Sequence, residues 1–80
     1  MGKQTDFWAV AMTARTLQEV HEVLSRLEPP PDAAPATKRD YHLRSIEVYE
    51  RIADVDRGHH HEALYWVGRE HRKATEHRIS

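Results

Sequence analysis

The amino-acid sequence predicts an all-α fold, in which two long helices form an antiparallel hairpin and a shorter N-terminal helix packs across it to give a three-helix bundle. Three observations support this prediction. Apolar residues recur at helical spacing in three segments, and no segment shows the alternation typical of a strand. A proline-rich stretch and a short Asp-Arg-Gly sequence separate the segments. At 80 residues, the chain has room for one small domain of marginal stability.

The first helix is predicted to begin after Thr16. Thr16 and Glu19 form a capping box, in which each side chain satisfies a backbone N–H group that lacks a partner within the helix. The apolar residues that follow lie on one helical stripe: Leu17, Val20, Leu24 and Leu27, with Val23 at its edge. The sequence EPPPDAAP, residues 28–35, ends this helix because prolines remove backbone donors and restrict the residues before them.

Residues 1–15 precede this helix and show no sustained apolar period, although they include several large apolar side chains. We interpret residues 1–15 as an N-terminal arm, for which a mobile tail is favoured and a docked strand or helix is the alternative. Residues 16–80 then form a single helical domain.

The second helix is predicted over residues 37–56. Its apolar positions cover nearly half of the helix circumference and are Tyr41, Val48, Tyr49, Ile52, Ala53 and Val55, with Ile46 at the margin. Because so wide a face should contact more than one neighbour, we expect a homodimer that buries what a monomer leaves exposed. Gly58 suits the left-handed residue that closes a helix, and Asp56 could alternatively cap the helix that follows.

The third helix should begin near His59 or His60 and continue toward His77. Its inward stripe is predicted to contain Ala63, Leu64, Val67 and Ala74. The short connection makes the second and third helices antiparallel neighbours.

Three adjacent histidines open this third helix, and they invite a metal-binding interpretation. Consecutive residues of a helix point about 100° apart, so these three rings cannot converge on one ion. We therefore predict no metal site. The candidates that remain are His60 and His71, which fall on the inward stripe and could meet their symmetry mates in a dimer, and the local pair His59 and Glu62. Protonation of His60 or His71 within an interface could also loosen the assembly in mild acid.

The composition excludes several classes of function. The chain has no cysteine, only three scattered glycines, and no nucleophile elbow or phosphate-binding loop, so we predict neither catalysis nor a cofactor. Its 12 basic and 13 acidic residues nearly balance, which does not favour nucleic acid or an anionic membrane. No apolar run reaches the length of about 18 residues that a membrane span requires. We expect a cytoplasmic protein without a membrane partner.

A protein-binding surface is predicted on the third helix. Tyr65 and Trp66 supply the aromatic anchors that such surfaces favour, and Arg69, Arg72 and Lys73 project from the outer side. Trp66 could instead cover the edge of the core.

A helix-turn-helix that binds DNA is the alternative, because a helix, the Asp-Arg-Gly turn and a second helix share its outline. Three features weaken the helix-turn-helix interpretation. The helix before the turn is long, Asp54 occupies a position that favours a small apolar residue, and three glutamates interrupt the basic face. These glutamates are Glu62, Glu70 and Glu76.

The sequence MTARTL and the later VYERIADVDRGHHHEALYWVGRE resemble a family of short actinobacterial proteins of unassigned function, sometimes encoded near mobile genetic elements. The resemblance covers about residues 12–75, and DRGHHHEALYW is its specific part. It implies no activity, but such a genetic setting favours a regulatory or protein-binding role over an enzymatic one.

We therefore predict a non-catalytic helical module that acts through protein–protein contacts, as a homo-oligomer and with a further protein partner not identified by the sequence. DNA binding is the alternative function, and a histidine-based metal-binding or pH-responsive protein is the third.

Overall fold

A computed structural model describes residues 6–76, and every regular element in that range is helical. The elements are helix α1 (Phe7–Thr13), helix α2 (Leu17–Leu27), helix α3 (Pro35–Val55), a 3₁₀ turn (Arg57–His59) and helix α4 (His60–Glu76). The all-α prediction is confirmed, with four α-helices among these residues where three were predicted. None of the helices in this range combines the length and apolar character needed to cross a membrane.

Helix α1 lies in the segment interpreted as an N-terminal arm, and its described residues form a docked helix, which was the alternative to a mobile tail. The Asp6 side chain caps the helix by accepting a hydrogen bond from the Ala9 N–H group at 3.2 Å. Ala11 and Ala14 are buried in the main hydrophobic core. The pattern was missed because seven residues are too few for a sustained period, and small alanines make the closest contacts.

Helix α2 begins as the capping box predicts, since the Thr16 hydroxyl accepts a hydrogen bond from the Glu19 N–H group at 3.1 Å. A second cap comes from far along the chain: the Leu17 N–H group donates to the Asp56 carboxylate at 3.0 Å. Beside it, the Arg51 guanidinium donates to the Ala14 carbonyl oxygen at 2.6 Å. The N-terminus of α2 is therefore attached to the C-terminal end of α3.

Helices α3 and α4 run antiparallel along one another. Near the turn, the His60 ring donates to the Ala53 carbonyl oxygen at 2.8 Å. Further along, His42 of α3 meets Glu70 of α4, with 2.5 Å between Nδ1 and Oε2. Each step forward on α3 therefore faces a step backward on α4.

The turn between α3 and α4 differs from the prediction for Gly58. No described residue has a positive φ, so Gly58 is not the left-handed residue that closes the helix. Instead α3 ends at Val55, and Asp56 leaves the helix at φ −95° and ψ 77° while its N–H group still bonds to the Ile52 carbonyl at 2.8 Å. A 3₁₀ turn then leads into α4, and the Asp56 side chain caps α2 rather than the following helix.

The core lies between helices α1 and α2 on one side and the hairpin of α3 and α4 on the other. Its buried members are Ala11, Ala14, Leu17, Val20, Leu24, Val48, Tyr49, Ile52, Ala53 and Ala63. Two predicted inward residues lie outside it, because Val55 is 43% and Leu64 is 44% exposed. The true inward stripe of α4 contains Ala63, Glu70 and Ala74. The Cα trace is only 15 Å thick, which suffices for two layers of helices packed 8–10 Å apart.

Candidate functional site

The three adjacent histidines have three different surroundings. The His59 Nδ1 atom lies 2.9 Å from the Asp56 carboxylate, and the His60 ring is bonded to the Ala53 carbonyl. His61 is exposed, with its ring 5.3 Å from that of His60 in an edge contact. Within residues 6–76, no group of three or more potential ligands could hold a metal ion.

The other metal candidates do not gather either. The prediction that His71 lies on the inward stripe is wrong, because His71 is exposed. His60 is half-buried and Glu62 is exposed. His60 and His71 are 11 positions apart on α4, which separates their Cα atoms by about 16 Å along the helix.

A polar cleft of about 720 Å³ lies between α2, the proline-rich segment and the hairpin. Its innermost pair is His42 and Glu70, whose side chains are 13% and 4% exposed. The second oxygen of Glu70 lies 3.5 Å from the Arg69 guanidinium. The sequence interpretation had placed Glu70 on an outer basic face, and the structure corrects this. Glu70 is tolerated inside because His42 and Arg69 satisfy both of its oxygens.

Two tyrosines line the cleft and form hydrogen bonds with α2. The Tyr41 hydroxyl donates to the Leu24 carbonyl oxygen at 3.0 Å, and the Tyr49 hydroxyl lies 2.9 Å from His21 Nδ1. Burial, with the negative charge of Glu28 next in importance, raises the pKa of Tyr41 to about 12. Burial also raises the pKa of Tyr49, and Glu70 adds to that effect. Both hydroxyls therefore stay protonated near neutrality and serve as structural donors.

His21 links α2 to both helices of the hairpin. Its ring lies 4.8 Å from the Trp66 ring in an edge contact, and its Nδ1 is hydrogen-bonded to the Tyr49 hydroxyl. Burial lowers the pKa of His21, and the charge of Glu62 opposes this only in part. This role of His21 was not predicted, because a histidine next to the apolar stripe of α2 does not by itself indicate which distant residues contact it.

We expect His21 to make folding sensitive to acid. Because the pKa of His21 is lower in the folded chain than in the unfolded chain, the unfolded chain takes up a proton at this residue first as the pH falls. His21 therefore lowers the stability of the folded state below about pH 6.5. His59 has the opposite sign, because the Asp56 carboxylate raises its pKa and its stabilisation is present below about pH 6.5. Melting temperatures measured by circular dichroism at about pH 7.5 and about pH 5 will test both signs.

Relative to the unsubstituted chain, acidification should lower the melting temperature of His21→Gln less and that of His59→Gln more. The exposed His61→Gln serves as the control and should follow the unsubstituted chain. Equal acid responses of His21→Gln and His61→Gln would contradict the assignment.

The predicted interaction surface divides into two parts. The Trp66 ring is stacked on the Tyr49 ring at 6.0 Å and lies 5.2 Å from the Arg69 guanidinium. Trp66 therefore belongs to the edge of the core, and Arg69 lines the cleft. Lys73 also lines the cleft. Tyr65, which is 60% exposed, and the exposed Arg72 remain on the outer surface of α4.

The hairpin has an uncovered side, which we term the open face. It consists of Arg39, Leu43 and Glu50 on α3, and Leu64, Gly68, His71 and Thr75 on α4, and Ile46 on the same side of α3 is already buried within the chain. These residues follow one another at spacings of three, four or seven along each helix and so share a side. A shallow groove of about 260 Å³, lined by Arg39, Leu43, His71, Ala74 and Thr75, runs along it. Helices α1 and α2 pack on another side of α3, through Tyr41 and Tyr49.

The geometry gives little support to a helix-turn-helix. That motif needs two helices crossing at about 90–120°, whereas α3 and α4 lie alongside one another from the Ala53–His60 contact to the His42–Glu70 contact. Arg69 and Lys73 also have acidic neighbours, Glu70 and Glu76, at 3.5 Å and 3.7 Å.

Comparison of the chain with protein-family models, with curated proteins and with solved structures found no match.

Proposed function

We propose that the protein is a cytoplasmic, non-catalytic helical module that acts through protein–protein contacts, and that its first partner is a second copy of itself. The observation that carries this proposal is the open face. Leu43 and Leu64, one from each helix of the hairpin, are 38% and 44% exposed there. Burial of such apolar surface is the main source of stability in protein association.

The polar cleft supports a structural rather than a catalytic role. Its most buried carboxylate, Glu70, is already paired with His42 and Arg69, and its tyrosine hydroxyls are bonded to α2. A general acid or base needs a group within reach of a substrate atom. Here the polar side chains hold α2 against the hairpin.

A pH-responsive module is the second candidate, and the surroundings of His21 favour it. The ring is held between Tyr49 and Trp66, where burial penalises its charged form. Acidification would then loosen α2 without requiring a histidine in an interface. This differs from the sequence prediction, which placed pH sensing at His60 and His71.

Light scattering on the full chain at micromolar concentrations tests the main proposal. We expect twice the monomer mass of 9.4 kDa. Leu64→Ser should weaken the dimer at least tenfold, which corresponds to about 1.4 kcal/mol. Val55→Ser is the matched control, because Val55 is 43% exposed and Leu64 is 44% exposed, but Val55 lies away from the open face.

A monomer mass at every concentration would overturn self-association. Equal effects of Leu64→Ser and Val55→Ser would show that the open face is not where the copies meet.

A further inference from the structure

We infer that the second copy docks antiparallel on the open face, about a two-fold axis beside Gly68, so that Arg39 of each copy pairs with Glu50 of the other. This inference rests on the proposed self-association and specifies its surface and register. A two-fold interface uses the same patch on both copies, so each contact must occur twice with its partners exchanged. The distribution of charge and apolar surface along α3 and α4 satisfies that condition.

The charges on α3 are self-complementary. Arg39 and Glu50 lie on one side of the helix, 11 positions apart, with the exposed Leu43 and the largely buried Ile46 between them. When a second α3 lies antiparallel over the midpoint, Arg39 faces Glu50 of the other copy, and Leu43 packs over the position of the largely buried Ile46. A shift of one helical turn would leave the opposite charges unpaired.

The register of the hairpin places the same axis near Gly68. His42 faces Glu70 and Ala53 faces His60, so the midpoint between Arg39 and Glu50 lies opposite residue 68 of α4. Along α4, the open-face residues Leu64 and His71 lie on either side of that point. One axis therefore brings Leu64 of each copy to His71 of the other.

Gly68 itself allows the two α4 helices to approach closely. A glycine inside a helix costs about 1 kcal/mol relative to alanine, and within one copy nothing requires it. A Cβ atom at this position would meet only the tip of Arg72, at 3.6 Å. A second helix packed against this point would explain why the position has no side chain.

Charge reversal tests the pairing. Arg39→Glu and Glu50→Arg, each alone, should raise the dimer dissociation constant about tenfold or more, and the double variant should restore it to within about threefold. Asp40→Arg is the control, because Asp40 is an exposed neighbour of Arg39 that points to another side of α3, and it should leave the dimer unchanged.

Cysteine crosslinking tests the axis independently of these charges. The chain has no cysteine, so each single substitution introduces the only thiol. Oxidised Gly68→Cys should form a disulfide-linked dimer, because a bond requires Cα atoms within about 7 Å, whereas Val55→Cys should not.

The outcomes separate this inference from the proposal on which it rests. If neither charge reversal changes the dimer dissociation constant, or if the double variant does not restore it, the inferred register is wrong but self-association still holds. Failure of Gly68→Cys to crosslink in a dimeric chain overturns the position of the axis. A chain that is monomeric without substitution overturns both.

Discussion

Replacing Ile52 by alanine will lower the free energy of unfolding by about 2–5 kcal/mol. Ile52 is 0% exposed in the last turn of α3, where its side chain belongs to the main hydrophobic core. Truncation removes its apolar contacts and leaves a cavity that rigid helices fill only in part. The loss is a large fraction of the stability expected for so small a domain. Urea unfolding followed by circular dichroism measures it.

Two valines on the same helix provide a matched comparison, and keep the test meaningful if Ile52→Ala does not fold. Val48 is 1% exposed, and Val48→Ala should cost about 1.6 kcal/mol for its two methyl groups. Val55 is 43% exposed, and Val55→Ala should cost less than about 0.5 kcal/mol. Equal losses from the two valine substitutions would contradict the assignment of the core.

Replacing Glu70 by alanine will cost about 3 kcal/mol, because the change breaks a buried polar pair while leaving the other partner in place. The Glu70 side chain is 4% exposed and lies 2.5 Å from His42. Its removal leaves the His42 ring without that hydrogen bond and opens a space beneath Tyr41 and Tyr49. The conservative variant Glu70→Gln keeps the shape and one acceptor oxygen, so it should lose less. Urea unfolding near neutral pH compares the two variants.

The matched control for Glu70 is Glu76 on the same helix. The Glu76 side chain is 58% exposed and its cationic neighbour is 3.7 Å away, so Glu76→Ala should change stability by less than about 0.5 kcal/mol. A double-mutant cycle with His42→Ala then measures the coupling within the pair. A Glu70→Ala variant as stable as Glu76→Ala would show that the buried pair of His42 and Glu70 contributes nothing to the free energy of unfolding.

Local signals in the sequence predicted most of the helical architecture. The Thr16 capping box marks the start of α2, and the prolines mark its end. Helix α3 was predicted over residues 37–56 and is Pro35–Val55, and α4 begins at His60 within the predicted range. These features depend on residues within about four positions of one another, so they can be predicted from the sequence alone.

The features that the sequence did not predict depend on distant residues. Glu70 was interpreted as exposed because a glutamate is rarely buried, and its partner His42 is 28 positions away. Helix α1 depends on packing against α2 and α3 rather than on its own period. In the candidate site, Trp66 was weighed as an anchor or as core edge, and its stacking on Tyr49 and contact with His21 favour the core edge.

The Asp56 carboxylate that caps α2 also has a consequence for how the protein is made. Leu17 and Asp56 are 39 positions apart, so during synthesis α2 leaves the ribosome before the residue that supplies this second cap has been added. Because domains fold as units once their long-range contacts are available, we expect the N-terminal third not to fold stably until residue 56 has emerged from the ribosome. A nascent chain stalled before that residue would therefore present Leu17 and the rest of the α2 stripe to chaperones.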